Sequence, residues 1–200
     1  MLFGISFVHW LVILSALITI AGSATYVRNT LKGTTRPNLV TWSMWALAPL
    51  VGTGAAFSAH ADPWTIVRIF LAGFLPLIVI VAVIAKPQAY WKLTTFDFLC
   101  GICSFIALIV WIFVHQPVIA VVLAAAGDGC AAVPTIIKSW KHPETETGFT
   151  FIMSFINVLL VIPSIPNWHV ENWAFQIYLV ICNALLVLAV YRKRFKFKHV

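Results

Sequence analysis

Apolar residues in this chain run in long stretches, and polar residues gather in short breaks between them. A bilayer-spanning helix needs about 20 apolar residues. Seven stretches meet that length: residues 6–27, 38–59, 63–85, 96–115, 117–139, 148–167 and 172–191. The pattern predicts an all-α integral membrane protein with seven transmembrane helices. Spans beginning near Ser6, Asn38 and Pro63 reappear about 110 residues later, near Pro117, Gly148 and Asn172. The expectation is two parallel three-helix bundles joined by a linker helix, as in some transporters. Residues 1–85 form the first repeat, 96–115 the linker, 117–191 the second repeat and 192–200 a basic tail.

Composition agrees. Of 200 residues, 62% are hydrophobic and 10% charged, and mean hydropathy is +0.97. A soluble domain of this size cannot hide so much apolar surface. No room remains for a separate soluble domain, so function is expected among the helices or at their ends. The first span has no basic leader region and no A-x-A cleavage signal, and reads as a helix of the mature protein.

Charge sets the expected orientation. With seven spans, every Lys and Arg except Arg68 falls on one face: Arg28, Lys32, Arg36, Lys86, Lys92, Lys138, Lys141, Arg192, Lys193, Arg194, Lys196 and Lys198. The positive-inside rule then places the C-terminus in the cytoplasm and the N-terminus outside the cell membrane. The net charge of +7 reads as topology and contact with anionic headgroups. Basic residues spread along one membrane face do not suit nucleic acid. Most of the nine tryptophans mark span ends, as an aromatic belt does. Trp42 and Trp45 sit one and two turns into the second span, and Trp45 is deep enough to face an interior cavity.

Polar residues inside the spans are the candidates for chemistry. Asp128 lies near the middle of span five, where an acid costs on the order of 3 kcal/mol to insert. Such acids face a bundle interior and often lie on a proton or cation path, so Asp128 is the coupling candidate. Gly127 and Gly129 weaken the helix around it, and Pro134 removes a further helix hydrogen bond. These three are the candidate hinge. Asn157 and Ser154 share a face of span six, and Asn183 shares one with Gln176 in span seven. Amides offer both donors and an acceptor to a hydroxyl-bearing solute, so Asn157, Asn183, Ser154 and Trp45 form the expected binding set. Interhelical bonding is the competing role for the amides. Arg68 reads either as a snorkelling cation near Asp62 or as a partner for Asp128.

Other chemistries are less well supported. Cys100-x-x-Cys103 lies within a span with no second pair, and small residues at helix interfaces account for it. His9, His60, His115 and His169 fall near the outer face, but no two have i,i+4 spacing and no H-E-x-x-H occurs. Neither a catalytic constellation nor a metal or other cofactor is expected. Span seven carries no Lys for a Schiff base.

The segment Val133-Pro134-Thr135-Ile136-Ile137-Lys138-Ser139-Trp140, followed after four residues by Thr145-Glu146-Thr147-Gly148-Phe149-Thr150, resembles the PQ-loop of the SWEET and PQ-loop transporter superfamily. Pro134, Lys138, Thr145, Gly148 and Thr150 match that pattern, and Thr135 stands in place of the Gln. In the first half Arg28, Thr35 and Asn38 match loosely, and Ala24 stands in place of the Pro. The resemblance implies a seven-helix, three-one-three fold with the N-terminus outside. It also implies an Asn on the third helix of each repeat for sugar, which Asn183 fits and Gly73 does not. Some relatives couple to protons through an Asp on the first helix of the second repeat, where Asp128 lies. The tryptophan-rich nicotinamide-riboside transporters are a neighbouring alternative.

The reading is a non-enzymatic transporter of a small polar solute, sugar-like or vitamin-like, that works by alternating access with a proton or cation at Asp128. Its partners are the solute and the lipid bilayer, and self-association is left open. The alternatives are an intramembrane zinc hydrolase at the outer face and a non-transporting receptor or assembly protein.

Overall fold

The computed structural model describes residues 7–165 and 167–193. Ser6 and the tail residues Arg194, Lys196 and Lys198 lie outside the described residues. Seven α-helices follow in order: α1 Phe7–Leu31, α2 Leu39–Ser58, α3 Pro63–Ala85, α4 Thr95–Phe113, α5 Pro117–Lys141, α6 Gly148–Val161 and α7 Val170–Tyr191. Single 3₁₀ turns at Pro87–Ala89, Pro143–Thr145 and Ile162–Ser164 complete the regular structure. No strand occurs among the described residues.

The helix starts are written in the sequence. Asn38 caps α2, its Oδ1 accepting from the amides of Val40 (3.1 Å) and Thr41 (3.3 Å). Asp62 caps α3 through the Thr65 amide at 3.1 Å, with Pro63 in the first turn. Thr94 and Asp97 close a reciprocal capping box on α4. Pro117 opens α5.

Six helices are long and apolar enough to cross a membrane, and these fit a multi-pass membrane protein. Span six differs from its expected range of 148–167. Its α-helix ends at Val161 after 14 residues, and the chain tightens into a 3₁₀ turn at Ile162–Ser164. Pro163 is the physical reason, because it has no amide hydrogen to continue the α-helical ladder.

α3 packs against α1 and α2, and α7 packs against α5 and α6. In addition α1 meets α6, and α2 meets α5. The fourth helix packs on α5 and, more lightly, on α2. Tyr26, Trp42, Val79, Ala132, Phe151, Cys182 and Leu186 form the shared core, with every helix but α4 contributing. A smaller cluster of Met44, Leu108 and Ala131 ties α4 to α2 and α5.

Large apolar side chains cover the outside. On α4 alone Phe98, Leu99, Ile102, Phe105, Ile106 and Phe113 are exposed. In water such a surface would aggregate; against lipid it costs nothing. The interior holds the reverse pattern, with Thr30, Asn38, Thr41, Lys138, Ser139 and Glu146 all buried.

Candidate solute cavity and the polar plug beside it

A cavity of about 370 Å³ lies between the helices, nearer the end where α1, α3, α5 and α7 begin. Every helix reaches it: Ser15 and Thr19 from α1, Trp45 from α2, Arg68 from α3, Trp111 from α4, Asp128 from α5, Asn157 from α6 and Gln176 from α7. Its walls are mostly apolar with a few polar groups, as small-molecule sites are.

Those polar groups are held in place. The Tyr178 hydroxyl donates to Asp128 Oδ2 at 2.7 Å. Ser15 Oγ donates to Asn157 Oδ1, linking α1 to α6. Thr19 Oγ1 donates to the Ser15 carbonyl at 2.8 Å. Gln176 Nε2 donates to the Val158 carbonyl at 2.6 Å, linking α7 to α6. Among the described residues Asp128 Oδ1 accepts no hydrogen bond and Asn157 Nδ2 donates none, which leaves one acceptor and one donor at the cavity.

Of the residues expected to bind solute, Trp45 and Asn157 line the cavity, as does the coupling candidate Asp128. Asn183 does not. Its amide turns back and donates to the Leu179 carbonyl at 2.9 Å, the nearest acceptor on its own helix. Ser154 is also off the wall, and one turn before it α6 is pressed against α1. There Thr150 Oγ1 donates to the Gly22 carbonyl at 2.8 Å, and a Cβ on Gly22 would lie 3.0 Å from Met153 Cβ.

The hinge candidates take packing positions. A Cβ on Gly127 would come within 3.1 Å of Ala107 Cβ, so this glycine lets α4 approach α5. Gly129 faces the Tyr178 ring. Pro134 is buried, and α5 runs through it unbroken from Pro117 to Lys141. Gly73, where the resemblance led one to look for an amide, has its own reason: a Cβ there would lie 2.8 Å from the Ala46 carbonyl oxygen. Arg68 is exposed at the cavity wall and, among the described residues, forms no ion pair with Asp62 or Asp128. His9 stacks on Trp64 with ring centroids 4.7 Å apart. Among the described residues no three His, Cys, Asp or Glu side chains come together as metal ligands would.

At the opposite end of the bundle lies a polar plug that sequence reasoning largely missed. Lys138 Nζ pairs with Glu146 Oε1 at 2.5 Å, with both side chains almost wholly shielded from solvent. Glu146 Oε2 accepts from the Tyr26 hydroxyl at 2.7 Å. Lys138 Nζ also donates to the Arg36 carbonyl and lies 5.0 Å from the centre of the Trp91 ring. The α1–α2 and α5–α6 connections are knitted together here. Thr35 and Thr147 hydroxyls meet at 2.6 Å, Asn29 Nδ2 donates to Thr147 Oγ1 at 3.0 Å, and the Arg36 amide donates to the Thr145 carbonyl at 2.9 Å. Asn38 Nδ2 donates to Asp97 Oδ1 at 2.9 Å and ties the start of α4 to the start of α2.

Lys138 and Thr35 stood out in the sequence as matches to the PQ-loop pattern. Tyr26, Trp91, Asp97 and Glu146 were not singled out as partners in this network, because it forms only when Tyr26 meets Glu146 across 120 residues. The plug is not fully satisfied. Thr30 Oγ1 and Ser139 Oγ are buried with no partner among the described residues, and such groups call for a specific reason.

Compared with protein-family models, curated proteins and solved structures, the chain has no match in any of the three.

Proposed function

We infer that the chain is a membrane transporter of a small polar solute that works by alternating access. The observation that carries this is the pairing of a seven-helix cavity with a polar plug at one end. A cavity reached by all helices and stoppered on one side is what one state of such a cycle requires. The solute would stack on Trp45, accept from Asn157 Nδ2 and meet Asp128 Oδ1 directly or through a proton or cation. An intramembrane carboxylate at a cavity is a coupling site by default.

The three-one-three arrangement belongs to the same reading, and paired contacts support it. Thr41 Oγ1 donates to the Ala131 carbonyl at 2.6 Å, and Thr150 Oγ1 donates to the Gly22 carbonyl at 2.8 Å. The donors are 150 − 41 = 109 positions apart, and the acceptors 131 − 22 = 109. Arg36 and Thr145, also 109 apart, bond to each other. At this spacing Asp128 corresponds to Thr19 and Asn157 to Ala48, and all four line the cavity. The offset of 109 agrees with the spacing of about 110 read from the span starts. Of the three buried hydroxyls unpartnered among the described residues, Thr30, Thr135 and Ser139, the first and last are related by the same 109. In this reading both find water or new partners when the plug opens.

Kinship with the PQ-loop transporters is part of the proposal and rests on the matching residues around Pro134 and Gly148. The plug then faces the cytoplasm, since nearly all basic residues lie at its end, and the cavity side faces outward. The deciding experiment is solute uptake into proteoliposomes across a panel of sugars, vitamins, nucleosides and amino acids. Ligand-dependent thermal stabilisation would choose the candidates beforehand. Absence of flux for every stabilising solute favours a receptor or assembly protein instead.

A further inference from the structure

A second, shallower groove runs along the outside of α1 where it meets α3. Ile20, Val27 and Leu31 of α1 and Leu75 and Ile78 of α3 make its apolar walls. Ser23 and Ala24 are small and form a dip in its floor. It ends at Arg28 in the last turn of α1 and at Lys32, four residues on, just past the end of the helix. From Ile20 to Lys32 is roughly 18 Å along the helix, slightly more than the ~15 Å of one leaflet's hydrocarbon layer. The groove thus has an apolar trough of leaflet depth with two cations at its mouth.

Several cations at the same end of the bundle are already engaged, and of those without a carboxylate partner among the described residues only Arg28 and Lys32 line this groove. Lys138 is paired with Glu146, Lys193 lies 3.9 Å from Glu144, and Arg192 donates to the Trp140 carbonyl and covers its ring. Arg28 and Lys32 are exposed and have no carboxylate partner among the described residues. Among the described residues no acidic side chain lines the groove.

We propose that this groove is a binding site for one anionic phospholipid, with an acyl chain along Ile20, Ala24 and Leu75 and its phosphate at Arg28 and Lys32. A guanidinium presents a planar fork that matches two phosphate oxygens, and the lysine adds a point charge beside it. Both positive charges are uncompensated, so a headgroup with net negative charge is favoured over a zwitterionic one, whose amine would meet repulsion. The site rests on the membrane setting of the helices and not on transport.

The test is native mass spectrometry of the full chain, released from vesicles of phosphatidylcholine doped with phosphatidylglycerol. The wild-type protein should retain one phosphatidylglycerol in preference to phosphatidylcholine. Arg28→Gln/Lys32→Gln should lower that retention on the order of 10-fold. Lys86→Gln/Lys92→Gln, which removes the same charge at the same end, should leave it unchanged. Ala24→Trp keeps both cations but fills the trough, and should also lose the lipid. Equal loss in the two double variants would mean diffuse attraction to the membrane surface and would overturn the site. So would retention in Arg28→Gln/Lys32→Gln or in Ala24→Trp. If a variant does not fold, the wild-type chain still decides: phosphatidylglycerol should raise its melting temperature above that in phosphatidylcholine, and inorganic phosphate alone should not.

Discussion

Lys138 and Glu146 face each other across the turn between α5 and α6, 2.5 Å apart and both shielded from solvent. Neither charge is tolerable there alone. The pair is held by Tyr26 from α1 and by the Arg36 carbonyl from the α1–α2 connection, so one ion pair ties α1 and its following connection to the α5–α6 turn. Removing one partner from a buried pair typically costs about 3–5 kcal/mol, whereas replacing both with apolar groups of similar size is often neutral.

Lys138→Met and Glu146→Leu should therefore each destabilise the protein by about 3–5 kcal/mol, and the double variant by much less. Denaturant unfolding in detergent measures all three. Additive losses would show that the two charges act independently and would remove the pair from its role in closing the plug.

Asp128→Asn keeps the size and one acceptor oxygen, and the Tyr178 contact at 2.7 Å can persist. The variant should fold and bind solute, but uptake into proteoliposomes should no longer respond to an imposed pH gradient. Coupling that survives the substitution would rule out Asp128 as its carrier. Tyr178→Phe should shift the pH response without abolishing it, because it removes only one hydrogen bond to the carboxylate.

The two amides separate a cavity role from a structural one. Asn157 lines the cavity, whereas Asn183 bonds to its own helix. Asn157→Leu should weaken solute binding at least 10-fold, since a buried hydrogen bond to a ligand and its geometry are lost together. Asn183→Leu should change affinity by less than about threefold. Isothermal titration with any solute found by thermal shift checks both, and a reversed order would place the binding site elsewhere.

Glycines at two helix positions should respond in opposite directions. A Cβ on Gly148 would lie 2.5 Å from the Tyr191 ring, so Gly148→Ala should cost about 1–3 kcal/mol. Gly54 has open space around its would-be Cβ. Gly54→Ala should gain up to about 1 kcal/mol by reducing the freedom of the unfolded chain and favouring the helix. Melting temperatures of the two variants decide the matter, and similar shifts would contradict the packing at Gly148.

The helices and their approximate ends were legible because hydrophobic run length and capping residues are local. Pro63, Pro117 and the Thr94–Asp97 pair mark their starts within a few positions of sequence. The apolar surface and the segregation of basic residues are likewise sums over the chain. Asp128 and Trp45 could be picked out because an acid or a large amphipathic ring deep in a span has few uses. Asn157 and Asn183 could not be told apart in this way. Both are amides on apolar helices, and only the position of neighbouring helices decides whether such a group meets a cavity or its own backbone. Span six looked as long as the others because its apolar run passes Pro163, where the α-helical ladder is lost. The plug was hidden for a similar reason. Tyr26, Arg36, Lys138 and Glu146 become one network only when α1, α5 and the two connections converge, and no local pattern encodes contacts across 100 residues or more. Sequence alone determined the elements and the solvent they suit, because those depend on each segment's own chemistry. Tertiary structure decided which polar groups share a cavity, which are spent on packing and which close the bundle, because those depend on distances between segments.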